Sequence, residues 1–524
     1  MNYKQSLPEV LEEAYLHYPD KEAMYDGLSR LTYRELFEDV QQLASGLAQL
    51  GIKKGDRVVA SLPNWNEFVT IYFGLARLGA ILVPCNTRYR KEELDYILED
   101  CRAKVAFIAE ETGHLDTLLQ YLKASGNGGA LEHIVTVRFQ KEGHTSYAEL
   151  LDLGDKRPAP AIAIDPVEDV FSILYTSGTT GRPKGAMLTH KNVVHTSKVS
   201  AEFMNCTSDD VFLVAVPAFH VFGMVPGILS AISTAGKIVF MEQFKADKAL
   251  KLIEQEKISV HHGVPTMFIL ELNHSEFKYT DLSSLRTGII AAAPCPVEIV
   301  KKIRTEMGCD VVVSYGLTES SAGVTFTSFE DDDLLRSETV GKVMPGAMAK
   351  IVDSNRNELA VNEVGELAIK SFGVMKGYFQ LQEKTNEVMD HEGWFYTGDL
   401  ATIDESGYIR IVGRKKEMII RGGYNIYPRE IEEIFYKHPS VLEVAVIGLP
   451  DTVLGEVTCA AVKLKPNQQE DEQSMRDYVK GKIANYKIPD HFIFLEDLPM
   501  TASGKIKKMA LETHVREKLK AILR

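Results

Sequence analysis

Residues 175–190 read YTSGTTGRPKGAMLTH. Glycine, serine and threonine crowd this run, and Lys184 closes it, directly after the apolar segment Val170–Leu174. Glycine permits positive φ and lets backbone N–H groups come close to a ligand. Serine and threonine add hydroxyl donors, and the lysine adds charge, which together are the requirements of a phosphate cradle. The spacing is not GxxxxGK[ST], because Gly185 follows Lys184, and this excludes a kinase- or ATPase-type P-loop. Alone, the run would be equally satisfied by a ligand-free surface loop between two strands.

The flanking sequence sets that loop in a layered α/β chain. TYRELFEDVQQLASGLAQLG (residues 32–51) opens with a capping-box pattern, Thr32 and Glu35, and stops at a glycine. DRVVASLP then reads as a buried strand, and NEFVTIYFGLARLGAILVPCN as helix, glycine, strand. The same rhythm returns from DVFLVAVP through GVPTMFILELN to LRTGIIAAAP, implying much parallel sheet. After about residue 340 the texture changes to strands joined by Gly, Asn and Asp turns, followed from Glu430 by helix, strand, strand and helix. The fold class is α/β: a large N-terminal domain of layered subdomains with a small β-barrel-like part, then a small, mobile α+β domain. The boundary falls in GRKKE, giving residues 1–413, a hinge at 414–417 and a C-terminal domain at 418–524.

The 524 residues exceed one ordinary domain. A net charge of −14 argues against general nucleic-acid binding, yet a few local cations still hold a phosphate in an acidic protein. The C-terminal end is basic, with Lys505, Lys507, Lys508, Arg516, Lys518, Lys520 and Arg524 against Glu512 and Glu517. No apolar run is long enough to span a bilayer, and the first residues lack a signal-peptide core, so the expected location is cytoplasmic. Peripheral membrane contact and self-association stay open. The six cysteines form no CxxC pair and read as buried free thiols.

Four further segments follow the loop in order: SYGLTES (314–320), YTGDL (396–400), GRKKEMIIRGGYNIYPREIE (413–432) and PMTASGKIKK (499–508). With them the chain resembles the adenylate-forming superfamily, which includes acyl- and aryl-CoA synthetases, nonribosomal-peptide adenylation domains and luciferase. The resemblance runs from LTYRELFE to SGKIKK. TGIIAAAPCPVEIVKKI and RGGYNIYPREIEE are most similar to bacterial fatty-acyl-CoA ligases.

That resemblance implies ATP, Mg²⁺ and coenzyme A. A carboxylate attacks the α-phosphate, pyrophosphate leaves, and the thiol of coenzyme A then displaces AMP. Bringing an anion onto a polyanion makes catalysis chiefly charge neutralisation and positioning. Thr176, Ser177, Gly178, Thr179, Thr180, Gly181 and Lys184 match the loop on the β- and γ-phosphates. Glu319 matches the Mg²⁺ ligand, with Thr318 on phosphate; one carboxylate plus substrate phosphates suits a hard cation that retains waters. Tyr315 matches the aromatic against adenine, although a tyrosine after an apolar strand is also ordinary core. Ala292, Ala293, Pro294 and Gly316 complete the nucleotide set. Asp399 matches the ribose-binding carboxylate, where turn capping is the bland alternative, and Arg414 also reaches the ribose. Lys416 matches the hinge, Lys505 the catalytic lysine between carboxylate and α-phosphate, and Gly422, Gly423 and Tyr424 the pantetheine channel, where a hairpin turn would serve equally. His220 matches a catalytic position beside the acyl pocket.

The acid is less legible. Phe219, Val221, Gly223, Val264 and Gly316 are expected to line an apolar acyl pocket. No arginine is evident for a second carboxylate, although His261 and His262 keep a dicarboxylate open. No aspartate sits where amino-acid-activating relatives bind an amino group. A medium- or long-chain fatty acid is expected, with aryl acids, dicarboxylates or transfer to a carrier protein as alternatives. A non-catalytic acyl-nucleotide-binding protein is disfavoured because both the loop and Lys505 are kept. Gly316 is read as leaving room for acyl carbons, against the alternative that it serves backbone geometry.

Overall fold

The computed structural model describes residues 4–125, 129–155, 157–176, 182–293, 295–500 and 506–522. The chain divides into two compact units, one formed by Met1–Met348 with Lys370–Gly393, the other by Ala349–Ile369 with Trp394–Arg524. The architecture is the mixed α/β layering expected, with a large N-terminal part and a smaller C-terminal one.

The first unit contains two large sheets. In one, Thr145–Ser146, His133–Val137, Val105–Ala109, Arg57–Ser61, Ile81–Pro84 and Val170–Thr176 lie side by side and parallel. Lys184–Thr189 then turns back antiparallel, and Gly377–Tyr378 pairs antiparallel with it at the edge. Every side chain of Val105–Ala109 is buried, as a strand covered on both faces requires. Val59, Val83, Ile108, Ile134 and Ile173 pack together on this sheet.

Local signals account for the helices above it. Thr32 caps Tyr33–Gln49: its hydroxyl accepts from Glu35 N at 3.2 Å, and the Glu35 carboxylate accepts from Thr32 N at 2.7 Å. Such a cap contributes about 1 kcal/mol. Helix Asn66–Leu78 is buried along nearly its whole length and ends at Gly79, whose φ of 62° is the left-handed cap that glycine adopts without strain.

The second sheet runs parallel through Glu22–Tyr25, Lys237–Phe240, Val211–Val214, Val260–His261, Thr287–Ile290 and Asp310–Leu317. Asp310–Leu317 changes partner midway. Asp310–Val313 pairs with Thr287–Ile290, whereas Ser314–Leu317 pairs antiparallel with Ala322–Phe326. Its carboxyl end therefore projects beyond the parallel sheet, where open α/β sheets bind ligands.

The second unit holds an antiparallel sheet of Met348–Val352, Gly365–Lys370, Phe395–Ile403 and Ile409–Arg414. A further sheet is built on the long hairpin Val441–Asp451 and Gly455–Leu464. Alternate residues of that hairpin serve opposite faces. Val444, Val446, Ala460 and Val462 pack with Ile431, Phe435, Met475 and Val479. Ala445, Ile447, Cys459 and Ala461 pack with Leu511 and Val515.

No helix among the described residues is long and apolar enough to cross a membrane. All six cysteines are free, and all but Cys206 are buried, as expected. Burial pushes the Cys295 thiol up to about 12.

Candidate active site

The stems of the glycine-rich loop form a β-ladder. Thr176 faces Lys184 across it, and the Thr176 hydroxyl donates to the Lys184 carbonyl at 3.3 Å. Helix Lys91–Cys101 anchors both stems: Tyr175 Oη donates to Asp100 Oδ2 at 2.5 Å, and Tyr96 Oη donates to the Pro183 carbonyl at 3.0 Å. Burial pushes the Tyr175 phenol up, so it remains a donor. Ser177, Gly178, Thr179, Thr180 and Gly181 lie outside the described residues, as do Pro294 and Lys505.

Past the projecting strand end, Thr318 and Glu319 occupy the short 3₁₀ turn Thr318–Ser320. Tyr378 reaches this turn from the edge strand Gly377–Tyr378 and donates its phenol to Glu319 Oε1 at 2.9 Å. The Lys184 ammonium lies 4.1 Å from the centre of the same ring. Met375 N also donates to the Glu319 carbonyl at 2.7 Å, fixing the backbone. Burial, reinforced by the Glu319 carboxylate, pushes the Tyr378 phenol well up. The structure thus gathers Lys184 and Glu319, which lie far apart in sequence, around one tyrosine.

This arrangement fits Mg²⁺. The Tyr378 bond takes one oxygen of Glu319 and leaves Oε2 for a cation. No cluster of three or more His, Cys, Asp or Glu side chains able to hold a metal exists among the described residues. The remaining ligands would have to be phosphate and water oxygens, the mode Mg²⁺ favours.

Tyr315 and Gly316 sit in the projecting strand end, Tyr315 half-buried and Gly316 exposed. Strained backbone surrounds them. Ala292, Ser321 and Ala322 have φ of 72°, 59° and 83°. Left-handed conformations outside glycine cost about 1–3 kcal/mol and cluster at ligand sites. Ala292 and Ala293 are exposed just past the carboxyl end of Thr287–Ile290. Gly316 requires a correction. A Cβ there would stand 1.3 Å from the Ala322 carbonyl oxygen. That direction holds the neighbouring strand's backbone and no vacant volume, so backbone geometry accounts for the glycine.

Of the residues expected to line the acyl pocket, Gly223 begins a π-helix, Gly223–Leu229, with Pro226 inside it. π-Helices are rare and concentrate at functional sites. His220 precedes it, its Nδ1 accepting from Phe222 N at 3.3 Å. Phe219 is half-buried and Val221 buried, while Val264 caps helix Pro265–Leu272. A Cβ on Gly223 would meet the Pro217 carbonyl oxygen at 2.2 Å, so close backbone packing also accounts for this glycine. His262 Nε2 donates to the Pro226 carbonyl at 3.1 Å, and its Nδ1 accepts from Ile289 N at 3.1 Å. Burial lowers this imidazole to about 3, so it is neutral. His261 and Glu271 pair at 3.0 Å, both fully buried. Both ring nitrogens of His262 are thus engaged by the scaffold, whereas His261 is engaged through Nε2 and its buried Nδ1 has no hydrogen-bond partner among the described residues.

In the second unit Asp399 and Arg414 are cross-strand neighbours, with Arg414 Nε 2.8 Å from Asp399 Oδ1. Glu366 holds both surrounding segments: its carboxylate accepts from Gly398 N at 3.0 Å and from Lys415 Nζ at 2.7 Å. Lys416 is exposed in the 3₁₀ turn Lys415–Glu417. Lys508 pairs with Glu417 at 2.9 Å and with Glu432 at 2.8 Å. Gly422 and Gly423 have φ of 56° and 86° between the paired residues Arg421 and Tyr424. A tight hairpin of this kind demands positive φ at both positions. Tyr424 is exposed beside Tyr486, with ring centroids 4.8 Å apart.

Sequence reasoning missed Tyr378, Glu366 and Asn64. Asn64 Nδ2 lies 3.0–3.1 Å from the carbonyls of Val214, Val216 and Met241, and its Oδ1 accepts from Ala218 N at 2.7 Å. It fixes the segment leading into Phe219 and His220. The only local signal was an asparagine directly after a buried strand, in SLPN.

Comparison with known proteins agrees with this geometry. The family model described as AMP-binding enzyme matches residues 11–379, and that of the AMP-binding enzyme C-terminal domain matches residues 430–505. The putative acyl-CoA synthetase YngI of Bacillus subtilis (strain 168) is 40% identical, covering 96% of this chain and 95% of its own. The mitochondrial medium-chain acyl-CoA ligase ACSF2 of Macaca fascicularis is 36% identical, covering 97% of this chain and 87% of its own. The ATP-bound crystal structure of MatB from Rhodopseudomonas palustris superposes with a TM-score of 0.87 at 30% identity, covering 97% of this chain and 99% of that one. The chain belongs to the AMP-binding enzyme family.

Proposed function

We propose that this chain is an ATP-dependent acid–CoA ligase acting on a medium- or long-chain fatty acid. The observation that carries the reading is the meeting of Lys184 and Glu319 around Tyr378: one cation and one carboxylate at the mouth of a glycine-rich hairpin. That set can neutralise a triphosphate.

In the first half-reaction a carboxylate oxygen of the acid bonds to the α-phosphorus of ATP. The bond from that phosphorus to the bridging oxygen breaks, and pyrophosphate leaves with its electron pair. Lys184 and the hydroxyls around Thr176 hold the leaving phosphates, and Thr318 contacts phosphate. Glu319 would hold Mg²⁺, which when bound supplies further neutralisation of the phosphate oxygens. Tyr315, Ala292 and Ala293 border adenine, and Asp399 with Arg414 receives the ribose hydroxyls. Lys505 bridges the acid carboxylate and the α-phosphate. In the second half-reaction the sulfur of coenzyme A bonds to the acyl carbon, and the carbon–oxygen bond to AMP breaks. Rotation about Lys416, between residues 1–413 and 418–524, exchanges Lys505 for the Gly422–Tyr424 segment at the reacting atoms.

The chain-length reading rests on the apolar character of Phe219, Val221 and Val264 and on the engagement of both ring nitrogens of His262. The ACSF2 relative, a medium-chain acyl-CoA ligase by name, supports it. Free buried cysteines support a cytoplasmic location. A panel of carboxylic acids, scored for AMP release with and without coenzyme A, tests the reading. Octanoate should exceed acetate, and thioester should form. Preference for acetate or benzoate overturns the substrate, and pyrophosphate exchange without thioester formation overturns the acceptor.

A further inference from the structure

We infer that Tyr378 is a positioning residue for the nucleotide site, holding the Glu319 carboxylate through its phenol and the Lys184 ammonium against its ring. The inference rests on the proposed roles of Lys184 and Glu319 and adds a device that sets the spacing between them. Both charges meet a single side chain, 2.9 Å from the phenol oxygen and 4.1 Å from the ring centre. Tyr378 is only 5% exposed.

Its own position is over-determined. Tyr378 pairs with Ala186 in the ladder, and its N–H donates to Thr385 Oγ1 at 2.9 Å. Next to it Phe379 N donates to the Gly185 carbonyl at 2.8 Å, and Lys376 N donates to the Met187 carbonyl at 2.9 Å. The segment preceding it is fixed as well: Asn192 Nδ2 donates to the Phe372 and Val374 carbonyls, and Ser321 Oγ donates to the Gly373 carbonyl. A ring locked by this many backbone contacts can orient a flexible lysine and a half-exposed carboxylate before ligand arrives, which lowers the reorganisation needed on binding. The phenol donates to one carboxylate oxygen, which leaves the other to take a cation. The ring face attracts the ammonium without neutralising it, leaving its charge available to phosphate.

Tyr378→Phe deletes only the phenol oxygen, and Tyr378→Leu removes the ring as well. Two binding measurements separate the roles, neither requiring turnover. Mn²⁺ affinity is measured by electron paramagnetic resonance with α,β-methylene-ATP present, and metal-free binding of that analogue by calorimetry. Tyr378→Phe should weaken Mn²⁺ by about tenfold, the usual size for loss of a group orienting a metal ligand. It should leave metal-free nucleotide binding within about twofold, since the ring is kept. Tyr378→Leu should weaken metal-free binding as well, by about threefold. A tyrosine that serves only packing would lower the melting temperature of both variants and move neither affinity. Unchanged Mn²⁺ affinity in Tyr378→Phe, with Glu319→Gln weakened, overturns the positioning role alone. Unchanged Mn²⁺ affinity in Glu319→Gln overturns the metal reading of Glu319 and this inference with it. Should Tyr378→Leu fail to fold, Tyr378→Phe decides the phenol's role by itself.

Discussion

The cluster around Glu319 in the first unit and the segment around Lys416 in the second are held in different ways. Around Glu319, charged groups are fixed by a buried tyrosine, by strand pairing and by left-handed residues at Ser321 and Ala322. Around Lys416, the fixing elements are ion pairs, on exposed Arg414 and Lys415 and half-buried Lys508: Arg414 with Asp399, Lys415 with Glu366, and Lys508 with Glu417. Exposed pairs contribute about 0–1 kcal/mol and weaken with salt. Buried backbone contacts do not exchange so readily. The difference is the one expected if, as proposed, the segment around Lys416 changes its geometry in each cycle while the cluster around Glu319 keeps its own.

Four experiments would break or sharpen that contrast. The largest effect is expected for Lys505→Ala, which should lower acyl-AMP formation by about 10²–10³ while supplied acyl-AMP and coenzyme A still yield thioester. Equal loss in both half-reactions would mean that Lys505 does not belong to one conformation alone. Lys416→Pro should give the converse. Proline fixes φ near −65°, and thioester formation should fall by about 10² with adenylation kept, as expected when a conformational step fails. Wild-type thioester rates would move the pivot elsewhere.

Gly316 probes the rigid side. Because the first side-chain carbon already meets the Ala322 carbonyl, Gly316→Ala and Gly316→Trp should both lose activity on every acid alike, by about tenfold or more. A Gly316→Ala variant with full activity, together with a Gly316→Trp variant that fails only on long chains, would restore the reading of glycine as room.

The fourth effect falls on stability rather than on rate, as a pH dependence. Burial lowers His262 to about 3 and His190 to about 4, below the ordinary histidine value. The unfolded chain therefore binds more protons than the folded one once the pH drops below about 6.5. Their contribution is complete above that value and is lost progressively toward pH 4 and 3. At pH 5 each group should have removed about 2 kcal/mol. Urea midpoints at pH 7 and pH 5 measure this, and His262→Gln should shrink the difference. An identical midpoint at both values would show that these imidazoles are not held neutral by the fold.

How much was legible in sequence follows from how local each feature is. The Thr32 cap, the strand ending at Thr176 and the order of layers rest on neighbours within a few residues, and each was readable. Lys184 and Glu319 could be named because their motifs are contiguous. Tyr378 could not, since its significance arises only when Gly377–Tyr378 pairs with Lys184–Thr189 across a long stretch of chain. Glu366 and Asn64 are hidden for the same reason: each acts on backbone groups distant in sequence. Gly316 was misjudged because a glycine's missing side chain looks identical in sequence whether the space beside it is vacant or filled by Ala322. Lys416, Lys505 and the Gly422–Tyr424 segment are named by their motifs, and the half-reaction experiments test their roles.

The excursion of Lys370–Gly393 into the first unit has a genetic consequence. The polypeptide passes between the units three times, at 348/349, 369/370 and 393/394. A recombinant gene with a single crossover cannot exchange the second unit intact. Joined near 349, such a hybrid takes Tyr378 from one parent and Lys184 and Glu319 from the other. Joined near 394, it keeps that trio together but divides one sheet, taking the strand carrying Glu366 from one parent and the strands carrying Asp399 and Arg414 from the other. Inheritance of a working enzyme by recombination therefore favours parents that agree at Tyr378 and Glu366, residues outside every motif that identified the chain.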